Sequence, residues 1–282
     1  MPSPSPSPAP AVAFFGATGG CASTALTLCL RAGVKATALV RTPTKLTSLL
    51  SARGVPQEVL DSQLTIIEGN VKDVDAVKRA LTLDGRIVDV VVSGVGGSPK
   101  LQWSLWKPVT LDDPTVCATA MATILAAIEA LRVGKGVADG KGDGPLVVAI
   151  STTGLSAKKR DVPLLMVPLY HWLLAVPHRD KKEMEDLLVA SVGSKTGVGA
   201  SDSTRGFVVV RPSLLVDGEA RGTRSVRVGW ESAGLEGEEA AGPGPAVGYT
   251  ISREDVGQWI AEEVVLNEKR GAWAGKMVTL TC

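Results

Sequence analysis

The stretch Ala11-Val12-Ala13-Phe14-Phe15-Gly16-Ala17-Thr18-Gly19-Gly20-Cys21-Ala22 decides the fold. An uninterrupted apolar run reads as a strand covered on both faces, and glycines at 16 and 19 with a small residue at 22 follow it directly. The spacing is G-x-x-G-x-x-A. Gly16 suits a tight turn, Gly19 lets backbone approach a pyrophosphate, and Ala22 lets the next helix pack close to the sheet. The free N–H groups at that helix start, around Thr18, Gly20 and Cys21, and its partial positive charge favour phosphate. Glycines also make ordinary turns, and the position directly after the first strand favours the phosphate reading.

Outward from this stretch, β-rich apolar runs alternate with helical spacing. Strands are expected near Ala11–Phe15, Val34–Val40, Leu64–Glu68, Val88–Ser93, Leu146–Ser151, Phe207–Arg211 and Met277–Leu280. Helices are expected near Cys21–Arg31, Thr44–Ala52, Val74–Leu83, Thr115–Leu131, Lys181–Ser191 and Arg253–Asn267. Such alternation predicts an α/β fold, a doubly wound, mostly parallel Rossmann sheet of about seven strands. Residues 1–10 read as a Pro/Ser tail and 11–282 as one domain, with 212–250 forming a substrate-side segment. Within it, Gly218 to Gly248 reads as an excursion from the sheet, and Val133 to Gly144 and Gly193 to Ser203 read as surface loops.

The 30 Lys and Arg against 29 Asp and Glu leave a net charge of +1, which argues against a nucleic-acid surface. No run of about 18 uncharged apolar residues occurs, so no membrane span is expected. The N-terminus has neither the basic nor the apolar part of a secretory signal. Cys21, Cys29, Cys117 and Cys282 lack paired spacing, which points to a reduced, cytoplasmic setting.

The second strand ends Val40-Arg41-Thr42-Pro43-Thr44-Lys45, without the carboxylate that would accept from a ribose 2′-hydroxyl. Arg41 and Lys45 suit a 2′-phosphate instead, so the cofactor expected is NADP. After the third strand, Asn70, Val71 and Asp73 either cap the next helix, face an adenine edge, or both. After the fourth, Ser93-Gly94-Val95-Gly96 keeps side chains off the carboxyl edge of the sheet, where ligands of open α/β sheets lie.

Together these residues resemble the short-chain dehydrogenase/reductase superfamily, in its atypical NmrA-like branch, from Ala11 to Leu280. The resemblance also rests on Ile150-Ser151-Thr152-Thr153-Gly154, the Lys181-x-x-x-Glu185 helix, Val210-Arg211-Pro212-Ser213 and Ile251-Ser252-Arg253-Glu254-Asp255-Val256. It implies nucleotide contacts at Pro212 and Ser213, a substrate-orienting hydroxyl among Ser151, Thr152 and Thr153, and a Tyr-x-x-x-Lys pair on the following helix. There the tyrosine exchanges a proton with the substrate and the lysine lowers its pKa. The chain departs from this pattern. With Lys181 as the family lysine the tyrosine position holds Pro177, and with Lys182 it holds His178; neither Tyr170 nor Tyr249 has a lysine four residues on. Acid help would then come from His178, Tyr170 or solvent.

Three accounts follow. The protein reduces a carbonyl, imine or activated alkene with NADPH, in secondary metabolism; it runs a non-redox cyclisation or isomerisation in the same pocket; or it is a nucleotide-sensing regulator of a protein partner. His171 and His178, each as readily a packed loop histidine, offer no closed metal ligand set. The apolar run Leu164 to Val176, with Trp103 and Trp106, reads either as the wall of a pocket for a hydrophobic small molecule, as core, or as a subunit contact in a homodimer. Lys181 to Asp186 otherwise reads as a charged solvated helix face, and Ser252 to Asp255 as a helix entry.

Overall fold

The computed structural model describes residues 9–97, 99–101, 109–134, 144–156, 159–168, 175–192, 204–233 and 242–282. Expectations that fall on 1–8, 102–108, 135–143, 169–174, 193–203 and 234–241, and with them Trp103, Trp106, Tyr170 and His171, lie outside the described residues.

The elements run β1 (Val12–Phe15), α1 (Gly20–Arg31), β2 (Ala36–Val40), α2 (Pro43–Ala52), α3 (Gln57–Gln63), β3 (Leu64–Glu68), α4 (Val74–Ala80), β4 (Thr82–Leu83), β5 (Arg86–Ile87), β6 (Val90–Ser93), β7 (Pro99–Leu101), β8 (Val109–Leu111) and α5 (Val116–Gly134). Then come β9 (Leu146–Ile150), α6 (Ala175–Ser191), β10 (Gly206–Pro212), β11 (Leu214–Val216), β12 (Arg227–Ser232), β13 (Thr250–Ser252), α7 (Arg253–Trp259) and β14 (Lys276–Thr281). A π-helical turn, Ile260–Val265, continues α7.

The main sheet has eight strands in the order β12-β14-β10-β9-β6-β1-β2-β3. All neighbours are parallel except β12, which pairs antiparallel with β14. The chain therefore winds outward from β1 in both directions. The switch point lies between β1 and β6, where the carboxyl edge opens a crevice.

Strand periodicity divides the core. Val12, Phe14, Val90, Val92, Val208 and Val210 face one layer, with Leu26 and Leu30 of α1, Leu46 and Leu50 of α2, and Val256 of α7. Ala13, Phe15, Val91, Phe207 and Val209 face the other, with Val77 of α4, Met121 and Ile124 of α5, and Met184 and Leu188 of α6. Burial on both faces is why these strands read as continuous apolar runs.

Three features differ from the sequence reading. Residues 227–232 are not an excursion: they return to the sheet as β12, covered outside by a bridge between Trp230 and Gly244. The helix expected over Val74–Leu83 stops at Ala80, because Asp84 and Gly85, both at positive φ, turn β4 into β5. Helix α5 has the length and composition of a membrane span, with mean hydropathy 1.7, a candidate the sequence reading had excluded; half of it is buried, Met121 and Ile124 packing in the core beside α4 and α6 residues.

Helices α1 and α7 lie in close contact. A Cβ at Gly257 would stand 2.5 Å from both the Cys21 carbonyl oxygen and Thr24 Cβ. Gly257→Val should therefore lower stability by about 2 kcal/mol in urea unfolding, because helix must move off helix. Gly271→Ala, at a glycine with open space around it, should leave the midpoint unchanged.

Candidate functional site

A cleft of about 460 Å³ opens at the carboxyl ends of β1, β2, β3 and β6. The turn after β1 makes its floor. Gly16 has φ +71°, and a Cβ there would lie 2.6 Å from the Gly94 carbonyl. Only glycine permits that turn and that approach. Gly94 in turn has Ala22 against it, since its own added Cβ would stand 2.8 Å from the Ala22 side chain. Gly16 and Ala22 of the motif, with Gly94, thus fit two loops and a helix together.

Gly16, Thr18, Gly19, Arg41, Lys45, Asn70, Val71, Gly94, Val95 and Gly96 all line this cleft. Gly20 and Cys21 form the first turn of α1 behind it, and Ser93 is the buried last residue of β6. Pro212 and Ser213 are not among the lining residues. The Pro212 carbonyl accepts from Thr153 N at 3.1 Å, and buried Ser213 donates from Oγ to Thr281 Oγ1 at 3.0 Å. Of the two helix-entry candidates after β3, Asp73 is the cap, accepting from Asp75 N and Ala76 N at 3.0 and 3.3 Å. Asn70 accepts from Lys72 N and stays at the cleft.

The sequence reading missed Lys72, Asp112, Asp113 and Val116, which complete the wall. Lys72 Nζ and Asp113 Oδ2 pair at 2.5 Å and draw the Asp113 carboxyl below its ordinary range. The Asp-Asp-Pro before α5 was a legible helix-entry signal, although its place at the cleft depends on sheet order.

Of the two candidate lysines, the structure turns Lys181 inward. Its Nζ donates to Ile150 O at 2.7 Å and Val95 O at 3.1 Å, bridging β9 to the loop after β6. Lys182 points to solvent and pairs with Asp186. Lys181 taken as the family lysine would put Pro177 at the tyrosine position. His178 Nε2 lies 3.1 Å from Thr153 O, and since a carbonyl only accepts, that nitrogen carries the proton. Thr152 is half-buried.

The charged-face reading of α6 holds for Arg179–Glu183 and Lys182–Asp186 alone. Asp180 and Glu185 are buried, because each answers groups from elsewhere in the fold. Asp180 accepts from Cys117 N and Ala118 N, both at 2.9 Å, and so caps α5. Glu185 takes a bidentate pair from Arg211, at 3.0 and 2.7 Å, and a hydrogen bond from Ser151 Oγ at 2.6 Å. Arg211 also reaches Glu231 Oε1 of β12 at 2.7 Å, whose Oε2 accepts from Ser156 Oγ at 2.9 Å. Burial works against the Arg211 charge, but the hydrogen bonds and charge of Glu185, with Glu231 behind them, raise its pKa above the ordinary value.

Burial pushes the Cys21 and Cys117 thiols up to about 11, Arg253 and Lys181 opposing it at Cys21. Both are protonated near neutrality, so neither is a ready nucleophile. The glycine floor, the uncapped start of α1 and the cationic end of β2 together fit a nicotinamide dinucleotide.

The comparisons agree with this geometry. A family model described as NAD(P)H-binding matches residues 16–267. The reductase pytE of Aspergillus terreus is 43% identical over 277 residues, covering 96% of this chain and 97% of that protein. The oxidase pynE of Aspergillus niger is 35% identical over 296 residues, covering 96% and 98%. Among solved structures, the anaerobillin reductase ChuY of Escherichia coli O157:H7 aligns with TM-score 0.57 at 16% identity, covering 96% of each chain. The oxidoreductase ylbE of Lactococcus lactis aligns with TM-score 0.58 at 13% identity, covering 96% and 90%. At such identities the likeness is one of fold.

The buried charges give a stability prediction. Arg211→Met strands Glu185 and Glu231 without their cation and should cost about 3–5 kcal/mol in urea unfolding.

Proposed function

We propose, from the premise that this chain belongs to the NAD(P)H-binding family, in its NmrA-like, atypical short-chain dehydrogenase/reductase form, that it is an NADP-dependent reductase of a hydrophobic small molecule. The observation that carries the cofactor reading is the end of β2, where Arg41 and Lys45 line the same cleft as Gly16 and Gly19 and β2 ends without a carboxylate. A guanidinium forks onto phosphate oxygens, and the strand end offers a 2′-hydroxyl no carboxylate.

Bound in this cleft, a nicotinamide dinucleotide supplies hydride to an electrophilic carbon. The chain's own part is to hold it: Gly16 and Gly19 admit the pyrophosphate, Asn70 and Val71 face the adenine, and Arg41 and Lys45 take the 2′-phosphate. Lys181 directs two of its three ammonium N–H groups to the Val95 and Ile150 carbonyls, which leaves one for a ribose or substrate oxygen.

Proton supply narrows the substrate. Pro177 replaces the tyrosine, and the Ser151 proton is committed to Glu185. A hydride acceptor that needs little acid help, an imine or a conjugated system, fits such a site better than a simple ketone. Redox chemistry also agrees with relatives named reductase and oxidase. The same shortage of a proton donor among the described residues favours, as a second reading, a non-redox cyclase or isomerase in this pocket. Leu164 and Leu165, exposed after Asp161 ties their segment to Gly154 N at 2.8 Å, offer apolar surface near the loop after β9. We place the protein in the cytoplasm, where NADPH is at hand.

Titration with NADPH and NADH tests this. Wild type should prefer NADPH, and Arg41→Ala should weaken NADPH by about 10- to 100-fold with little change for NADH. Equal losses would sink the 2′-phosphate role. Lys181→Met should abolish turnover of hydrophobic imines and conjugated carbonyls, while Lys182→Met should leave it intact. Product formation without NADPH consumption would favour the second reading.

A further inference from the structure

The pyrophosphate of a dinucleotide carries two negative charges, yet the turn from Gly16 to Cys21 contains no charged side chain. A cation lies directly against it. The stem of Arg253, the first residue of α7, crosses the first turn of α1: a Cβ at Gly20 would stand 2.5 Å from Arg253 Cδ and 3.1 Å from its Cβ. Helix geometry puts it there, because Gly257, one turn on and on the same face, packs against the Cys21 carbonyl and Thr24. Residue 253 lies against residue 20 and 257 against 21 and 24, so α7 runs alongside α1 with their N-termini together. Arg253 bears on Cys21 as a positive charge.

This is a costly place for a cation. Two helix N-termini carry partial positive charge, and α1 has no acidic residue in its first turn and no side-chain cap at Gly19. The acids of α7 are engaged elsewhere: Glu254 pairs with Arg53 at 3.4 Å, and Asp255 accepts from Arg221 N and Gly222 N at 2.7 and 3.0 Å. Among the described residues Arg253 has a single partner, Asp217 Oδ1 at 2.6 Å, whose side chain is 92% exposed in the loop after β11. An aspartate so open to water loses little when its partner leaves.

We propose that Arg253 binds the dinucleotide pyrophosphate, exchanging Asp217 for the phosphate oxygens. The inference rests on the dinucleotide reading of the cleft, though not on the preference for NADP. It makes Asp217 a competitor of the ligand and links cofactor arrival to the segment that leaves β11.

The test is a binding titration of full-length wild type, Arg253→Gln and Asp217→Asn with NADPH, NADH and adenosine 2′-monophosphate, which lacks the pyrophosphate. Arg253→Gln should weaken NADPH and NADH by a common factor of about 10 and leave the monophosphate within about twofold. Arg41→Ala, by contrast, acts on the two 2′-phosphorylated ligands. Asp217→Asn, a change at an exposed side chain, should tighten both dinucleotides about threefold, and it carries the test if Arg253→Gln does not fold. Unchanged dinucleotide affinity in Arg253→Gln, an equal loss for the monophosphate, or weaker dinucleotide binding by Asp217→Asn would overturn the proposal. Wild type that bound neither dinucleotide would overturn the cofactor reading itself.

Discussion

The rest of the molecule depends on backbone lying against backbone where the turn after β1 meets the loop after β6. Gly16, at φ +71° and without room for a Cβ beside Gly94, makes that contact, and Ala22 closes it from the helix side. A single added carbon at Gly16 would drive the two loops apart, and one at Gly94 would push Ala22 of α1 away. The cleft would then lose its floor, and α1 would lift from the sheet and carry α7 with it. Steric exclusion at three small residues therefore sets both the binding surface and the packing of one whole face.

Charge organises the opposite end of the crevice. Lys181 and Glu185 are one turn apart on α6 and both face inward, but they do not answer each other. The lysine bridges the carbonyl at the end of β9 to one in the loop after β6, and the glutamate closes Arg211. Arg211 between Glu185 and Glu231 ties α6, β10 and β12 into one unit, and Ser151 and Ser156 fill remaining acceptor positions. A buried ion pair of this kind adds little net stability over an apolar substitute, but breaking it is expensive. Its effect is to fix where α6 lies, and hence where Lys181 reaches.

The central strands, the order of elements and most of the cleft were legible in the sequence, because local pattern records them: continuous apolar runs, small residues at fixed spacing, a basic strand end. What escaped notice is non-local. Strand β12 has Gly229 in its middle and finds its partner β14 across more than one intervening element, so no periodicity announced it. Glu185 read as part of a solvated helix face because nothing nearby in sequence discloses Arg211. The Asp84-Gly85 hairpin was different, since that dipeptide is a strong turn signal inside a stretch whose apolar residues otherwise suggest helix.

The missing tyrosine gains meaning from its surroundings. An enzyme can lose a general acid and recruit another if a hydroxyl or imidazole nearby is uncommitted. Here Ser151 Oγ donates a hydrogen bond to a buried carboxylate, and His178 Nε2 donates a part-buried one to the Thr153 carbonyl. Recruiting either would break a hydrogen bond, which at buried Ser151 costs on the order of 1–3 kcal/mol before any chemistry begins. The inexpensive route is a substrate that carries its own electron sink. A carbon already bonded to a cationic nitrogen, or conjugated to an acceptor that holds the negative charge, receives hydride without a proton from the protein. On this argument the polar network that holds α6 in place also restricts what the site can reduce.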